Sequence, residues 1–117
     1  MPHCIIEYSQ ELETSITPKL MINTVHQGAL ASGLFEESHI KSRALAYEHY
    51  KTGTSHLRFI HITARILSGR SLELKANLSQ TILESFTALI QNNNLSEISV
   101  TVEVRDLERE TYAKNIL

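Results

Sequence analysis

The stretch Leu57-Arg-Phe-Ile-His-Ile-Thr-Ala-Arg-Ile-Leu67, with the turn Ser68-Gly69-Arg70-Ser71 behind it, decides the fold. Arg58, Ile60, Ile62, Ala64 and Ile66 fall on one side of an extended chain, and all but the arginine are apolar. Leu57, Phe59, His61, Thr63 and Arg65 fall on the other. That alternation predicts a strand with one buried face. Ser71 is a good cap for a following helix, and Glu73 lies in its first turn, where the helix dipole favours an anion. Leu74, Leu78, Ile82, Phe86 and Leu89 or Ile90 recur at helical spacing, and Asn92-Asn-Asn94 ends the run. Ser96 to Arg105 alternates again, with Ile98, Val100, Val102 and Val104 inward. This half of the chain therefore reads β-α-β.

The first half repeats that order. Pro2-His-Cys-Ile-Ile-Glu-Tyr-Ser9 is rich in β-formers and predicts a strand anchored from its first residues. Thr17 caps a helix that has Pro18 at its first position, where the missing N–H costs nothing. Leu20, Met21, Val25 and Ala29 form its expected buried stripe, and Gly33 suits its end. Lys41 to Tyr50 predicts a second strand, and Lys51 to Ser55 a turn. Two βαβ units with both helices on one sheet face give an α/β two-layer sandwich, of the α+β kind, in a single domain over residues 1–117. The helix-free face mixes Leu45, Tyr47 and Phe59 with polar residues, which points to a symmetric oligomer. The tail from Leu107 to Leu117 is polar and shows no clear period; a short helix or an arm to a neighbouring subunit both fit it.

Composition narrows the function classes. The chain has 117 residues, a formal net charge of −2 and 42% hydrophobic residues. No basic field exists to hold a phosphate backbone, so nucleic acid is not an expected partner. The opening residues lack the basic start of a signal peptide, and the uncharged run that ends at Glu36 is too polar for a membrane span. The expectation is a cytoplasmic protein with no membrane partner. Its one cysteine, Cys4, excludes an intrachain disulfide and reads as a buried, inert thiol. There is no glycine-rich phosphate loop, no GxSxG and no CxxC, and the six histidines form no HxxxH pair, so no metal site is expected.

Chemistry is suggested first by Met1-Pro2. Initiator methionine is normally removed before proline, which would leave Pro2 with a free secondary amine. A terminal amine titrates near pH 8, lower beside cations or apolar surface, so Pro2 would be a neutral base. On these two residues alone, Pro2 as a common second residue remains the simpler reading.

The segments Pro2–Ser9, His39–Tyr50 and above all His61–Lys75, with Gly69-Arg-Ser-Leu-Glu73, resemble the 5-carboxymethyl-2-hydroxymuconate isomerase family of the tautomerase superfamily. The resemblance runs from Pro2 to about Glu84. It implies a tandem βαβ tautomerase fold assembled as a homotrimer, without cofactor or metal. It also implies a substrate from homoprotocatechuate breakdown by meta-cleavage. Pro2 matches the family's catalytic base, and Arg70 an arginine of its site. Lys41-Ser-Arg43 matches an arginine-X-arginine segment that binds substrate carboxylates. Lys41 is a departure, because lysine keeps the charge but loses the planar fork. Plainer readings are a solvated turn residue for Arg70 and surface charge for Lys41 and Arg43. The alternative function is a non-catalytic ligand-binding or assembly module on the same fold.

Overall fold

The computed structural model describes residues 1–117. Its main elements are β1 (His3–Ser9), α1 (Pro18–Ala31), β2 (Lys41–Tyr47), β3 (Arg58–Leu67), α2 (Leu72–Asn92) and β4 (Ile98–Leu107). The strands form one mixed sheet in the order β2-β1-β3-β4. β1 pairs with β2 in parallel, β3 with β4 in parallel, and β1 with β3 antiparallel. The two βαβ units therefore meet along β1 and β3, the two interior strands. Both helices cover one face, as the alternation predicts.

Local chemistry explains the helix ends. The Thr17 Oγ1 accepts from the Leu20 N–H at 3.1 Å, and the Ser71 Oγ accepts from the Leu74 N–H at 3.2 Å. Each satisfies one of the orphan donors of a helix start. α1 stops at Ala31, and Gly33 follows at φ +75°, the left-handed conformation that glycine adopts without strain. The two helices touch closely at Gly28. A Cβ there would lie 3.0 Å from the Ser85 Oγ and 3.3 Å from the Ile82 Cα.

The core lies between the layers. Cys4, Ile6 and Tyr8 of β1 and Ile60, Ile62, Ala64 and Ile66 of β3 face Met21, Val25, Ala29, Leu78, Ile82 and Phe86 of the helices. The β4 valines are partly buried against the same cluster. Three details depart from the sequence reading. Leu20 is 39% and Leu74 41% exposed, since both sit in the first turn of their helices, ahead of the buried stripes. β2 ends at Tyr47 rather than Tyr50. A 3-10 turn over Gln10–Thr14 carries Leu12 fully into the core, and Ile16 follows it.

Because Leu12 is sealed and Leu20 is not, their alanine variants should differ sharply. Leu12→Ala should lower stability by about 2–5 kcal/mol, the range for a buried leucine. Leu20→Ala should cost less than about 1 kcal/mol. Urea unfolding of both variants checks this, and equal losses would contradict the placement of the 3-10 turn.

Candidate active site

The start of β1 is buried between two strands. Pro2 is fully buried, and its carbonyl accepts from the Lys41 N–H at 3.0 Å, extending the parallel ladder by one bond. Its nitrogen has no proton to offer the ladder, so the first position of the strand suits it. Met1 projects beyond the ladder, and its amine donates to the His39 carbonyl at 2.9 Å.

Met1 lies in a cleft of about 320 Å³ with Leu34, Phe35, Glu36, His39, Ile66, Leu67, Arg70 and Arg109. Three connections converge there: the one after α1, the turn between β3 and α2, and the segment after β4. Arg70 precedes the cap of α2. One of its guanidinium nitrogens donates to the Leu34 carbonyl at 2.9 Å, and the group stacks on Phe35 with 5.5 Å to the ring centre. Such anchoring fixes a guanidinium that would otherwise sweep through solvent. The start of the 21-residue α2 adds favourable potential for an anion beside it.

The electrostatics at the chain start are cationic. The Met1 amine is held below its ordinary value of 8.0, mainly by burial and then by the charges of Lys41 and Lys114. His3, on the helix-free face, accepts or donates at both ring nitrogens. Its Nδ1 lies 3.1 Å from an Arg43 guanidinium nitrogen and its Nε2 2.9 Å from the Tyr112 hydroxyl. Cys4 faces the core, and burial pushes its thiol up to about 11, so it is no nucleophile.

Arg70 thus lines one cleft with Met1, the residue joined to the buried Pro2. Lys41 sits close enough for its charge to act on the chain start. Arg43 does not join them: it is exposed on the other sheet face, on His3. Sequence reading missed Arg109, Lys114 and Phe35. The first two lie in the polar tail, where no periodicity assigns a side. That tail forms a 3-10 turn over Arg109–Thr111 and returns along its own chain to His3. A larger concavity of about 660 Å³ lies along the 50–57 loop, with no arginine in its lining. No group of three or more His, Cys, Asp or Glu side chains is placed to hold a metal ion. No helix is long and apolar enough to cross a membrane.

Two helices on one face of this mixed sheet, with the chain start in an interior strand, define the tautomerase-superfamily fold. Solved structures with the same fold include a 5-carboxymethyl-2-hydroxymuconate delta-isomerase, with TM-score 0.83 and 18% identity over 99% of this chain and 88% of that one. A 5-carboxymethyl-2-hydroxymuconate isomerase from Deinococcus radiodurans R1 gives 0.81 and 21% over 97% and 88%. A fused 4-OT solved as a symmetric trimer gives 0.66 and 16% over 92% and 88%. No curated protein matches the sequence significantly. The sequence model of the 5-carboxymethyl-2-hydroxymuconate isomerase family matches residues 2–117, and the chain belongs to that family of isomerases.

His3 yields a pH prediction. Burial, then the charges of Arg43 and Lys41, hold its imidazole below the ordinary 6.5, so the folded chain disfavours the proton. The unfolded chain binds more protons in that window, and stability rises with pH through it. The contribution is complete above pH 6.5 and is lost as pH falls towards the lowered folded value. Urea unfolding between pH 5 and 7 should show a shallower pH slope in His3→Gln than in the unsubstituted chain. Parallel slopes would show that His3 is not held neutral.

Proposed function

We propose that the chain is a cofactor-independent isomerase that ketonises an unsaturated hydroxy di- or tricarboxylate such as 5-carboxymethyl-2-hydroxymuconate. Pro2, freed by removal of Met1, is its general base. The observation that carries this reading is the position of Met1. It lines the cleft of Arg70 and Arg109 and is joined to a buried proline, so loss of that single residue would leave a secondary amine beside that cleft. With Met1 attached, the Pro2 nitrogen is an amide and cannot take a proton.

In this mechanism the substrate's enol O–H bond breaks and its proton passes to the Pro2 nitrogen. The negative charge spreads along the conjugated dienolate; the N–H bond of the protonated Pro2 then breaks as its proton forms a C–H bond at the far carbon, which restores the neutral amine. No electrons are gained or lost. The burial and cations that depress the Met1 amine would act in the same direction on the amine one residue further in, favouring its neutral, basic form. Arg70 is prepositioned to meet the developing oxyanion, and it stabilises the dienolate more than the neutral enol. Lys41 contributes charge at the chain start, and Arg43 holds carboxylate at the helix-free face. That face carries the Tyr47–Phe59 and Tyr50–Phe59 contacts and a half-exposed Leu45, surface that a homotrimer would cover. The proposed setting is cytoplasmic meta-cleavage of homoprotocatechuate.

Two measurements test the reading. Protein lacking Met1 by intact mass should turn over 5-carboxymethyl-2-hydroxymuconate about 10²- to 10⁴-fold faster than protein made without methionine aminopeptidase, the range expected for losing a general base. Equal rates would exclude Pro2 as the base, and no turnover in either form would favour a binding module. Arg70→Gln in the processed protein should lower kcat about 10²- to 10³-fold, as for loss of an oxyanion donor.

A further inference from the structure

We propose that Arg109, from the segment after β4, is a specificity-determining residue that binds a second substrate carboxylate opposite Arg70. The inference rests on the cleft assigned above and adds a subsite to it. Arg109 lines that cleft together with Met1 and Arg70. Its guanidinium donates to the Ser68 carbonyl at 3.1 Å, and its backbone N–H donates to the Ser68 Oγ at 3.3 Å. The Ser68 N–H in turn donates to the Leu107 carbonyl at 2.8 Å, so the segment is stitched to the end of β3. Gly69, at φ +117°, lies beside the guanidinium: a Cβ there would make ordinary contact with it, at 4.0 Å.

The two arginines therefore approach from different supports. Arg70 is tied to the connection after α1, and Arg109 to the end of β3. Each spends a single guanidinium donor on the anchor seen here and keeps the rest of its fork for a carboxylate. Neither is within ion-pair distance of an acidic side chain. Glu36, the one acidic side chain in the lining, is itself directed at His39, at 3.9 Å. Two like charges held towards one cleft without a counterion are stabilised by an anion that spans both. A monocarboxylate satisfies one of them, and a di- or tricarboxylate satisfies both. Arg109 is thus the group that makes the site prefer the more highly charged enol acids.

The test uses the full processed chain, with Arg109→Gln and Arg109→Lys. In calorimetry with propane-1,2,3-tricarboxylate, Arg109→Gln should bind about ten-fold more weakly or worse, the loss expected for one charge-assisted pair. Arg109→Lys should recover part of that affinity. Acetate, which one arginine alone can hold, should lose less affinity than the tricarboxylate in both. In turnover, KM for 5-carboxymethyl-2-hydroxymuconate should rise by a similar factor, and kcat/KM should fall at least about three-fold more for it than for phenylenolpyruvate, which has one carboxylate. Unchanged tricarboxylate affinity, or equal losses for both carboxylate classes, would overturn the assignment. An unsubstituted chain that binds the tricarboxylate in an Arg109-dependent way but turns nothing over would overturn the isomerase reading and keep the subsite.

Discussion

The parallel ladder between β1 and β2 begins one residue before β1 itself, with the Lys41 N–H bonded to the Pro2 carbonyl. Chain termini usually fray, because few contacts repay the entropy of ordering them. Here the terminus opens an interior strand. From His3 onward it pairs with β2 on one side and β3 on the other, and its alternate residues are sealed under the helices. The second residue of the chain is thereby as well located as any core side chain. Everything at that end is positioned relative to it: Lys41 by the ladder, Arg70 by the turn that leaves β3, and the tail by its bonds to Ser68 and His3. A base that must meet a substrate within hydrogen-bond reach gains from this order, since it needs no reorganisation at the moment of proton transfer.

Charge is segregated along the same strand. The chain is slightly acidic overall, yet Lys41, Arg70, Arg109 and Lys114 gather around the start of β1. Acidic side chains dominate towards its far end, where Tyr8 bonds Glu13, Tyr47 bonds Glu7 and Tyr50 bonds Glu11. Burial, then the Glu13 carboxylate, push the Tyr8 hydroxyl up to about 12, so it stays a donor and holds its partner. These three carboxylates are thus occupied by neutral phenols, at the opposite end of β1 from those four cations. Net charge describes the field at a distance, whereas the cleft is governed by these local groupings.

Most of this architecture was legible because period-2 and period-3.6 patterns are strong in β1, β3, β4 and α2. Thr17-Pro18 and Ser71 marked both helix starts for a stated chemical reason. The pairing order was not legible. Nothing in the alternation says that β1 and β3 are neighbours, since that depends on how two separate units join. Leu12 and Ile16 escaped because a 3-10 turn has too few residues to show a period. Pro2 and Arg70 became candidates only through the family resemblance carried by the chain start and the Gly-Arg-Ser turn. Arg109 did not, for it lies in a polar tail whose side chains acquire a direction only through contacts more than forty residues away in sequence.

The lysine at position 41 illustrates how contact and field divide the work at such a cleft. A fork is needed where a carboxylate must be gripped in one orientation, and lysine cannot replace arginine there. Depressing an amine pKa needs only a positive charge nearby, for which the shape of the head group is immaterial. Lys41 acts on the chain start in this second way, through its charge. Arg70 and Arg109 are each anchored by one backbone carbonyl, which leaves the rest of each planar fork free. With a lysine at position 41, the chain still presents two forks at the cleft, one of them from a segment far away in sequence. On the proposed chemistry, the lysine at position 41 leaves Arg43 as the one fork on β2 and gives carboxylate recognition at the cleft to Arg70 and Arg109, while the conditions for proton abstraction stay in place.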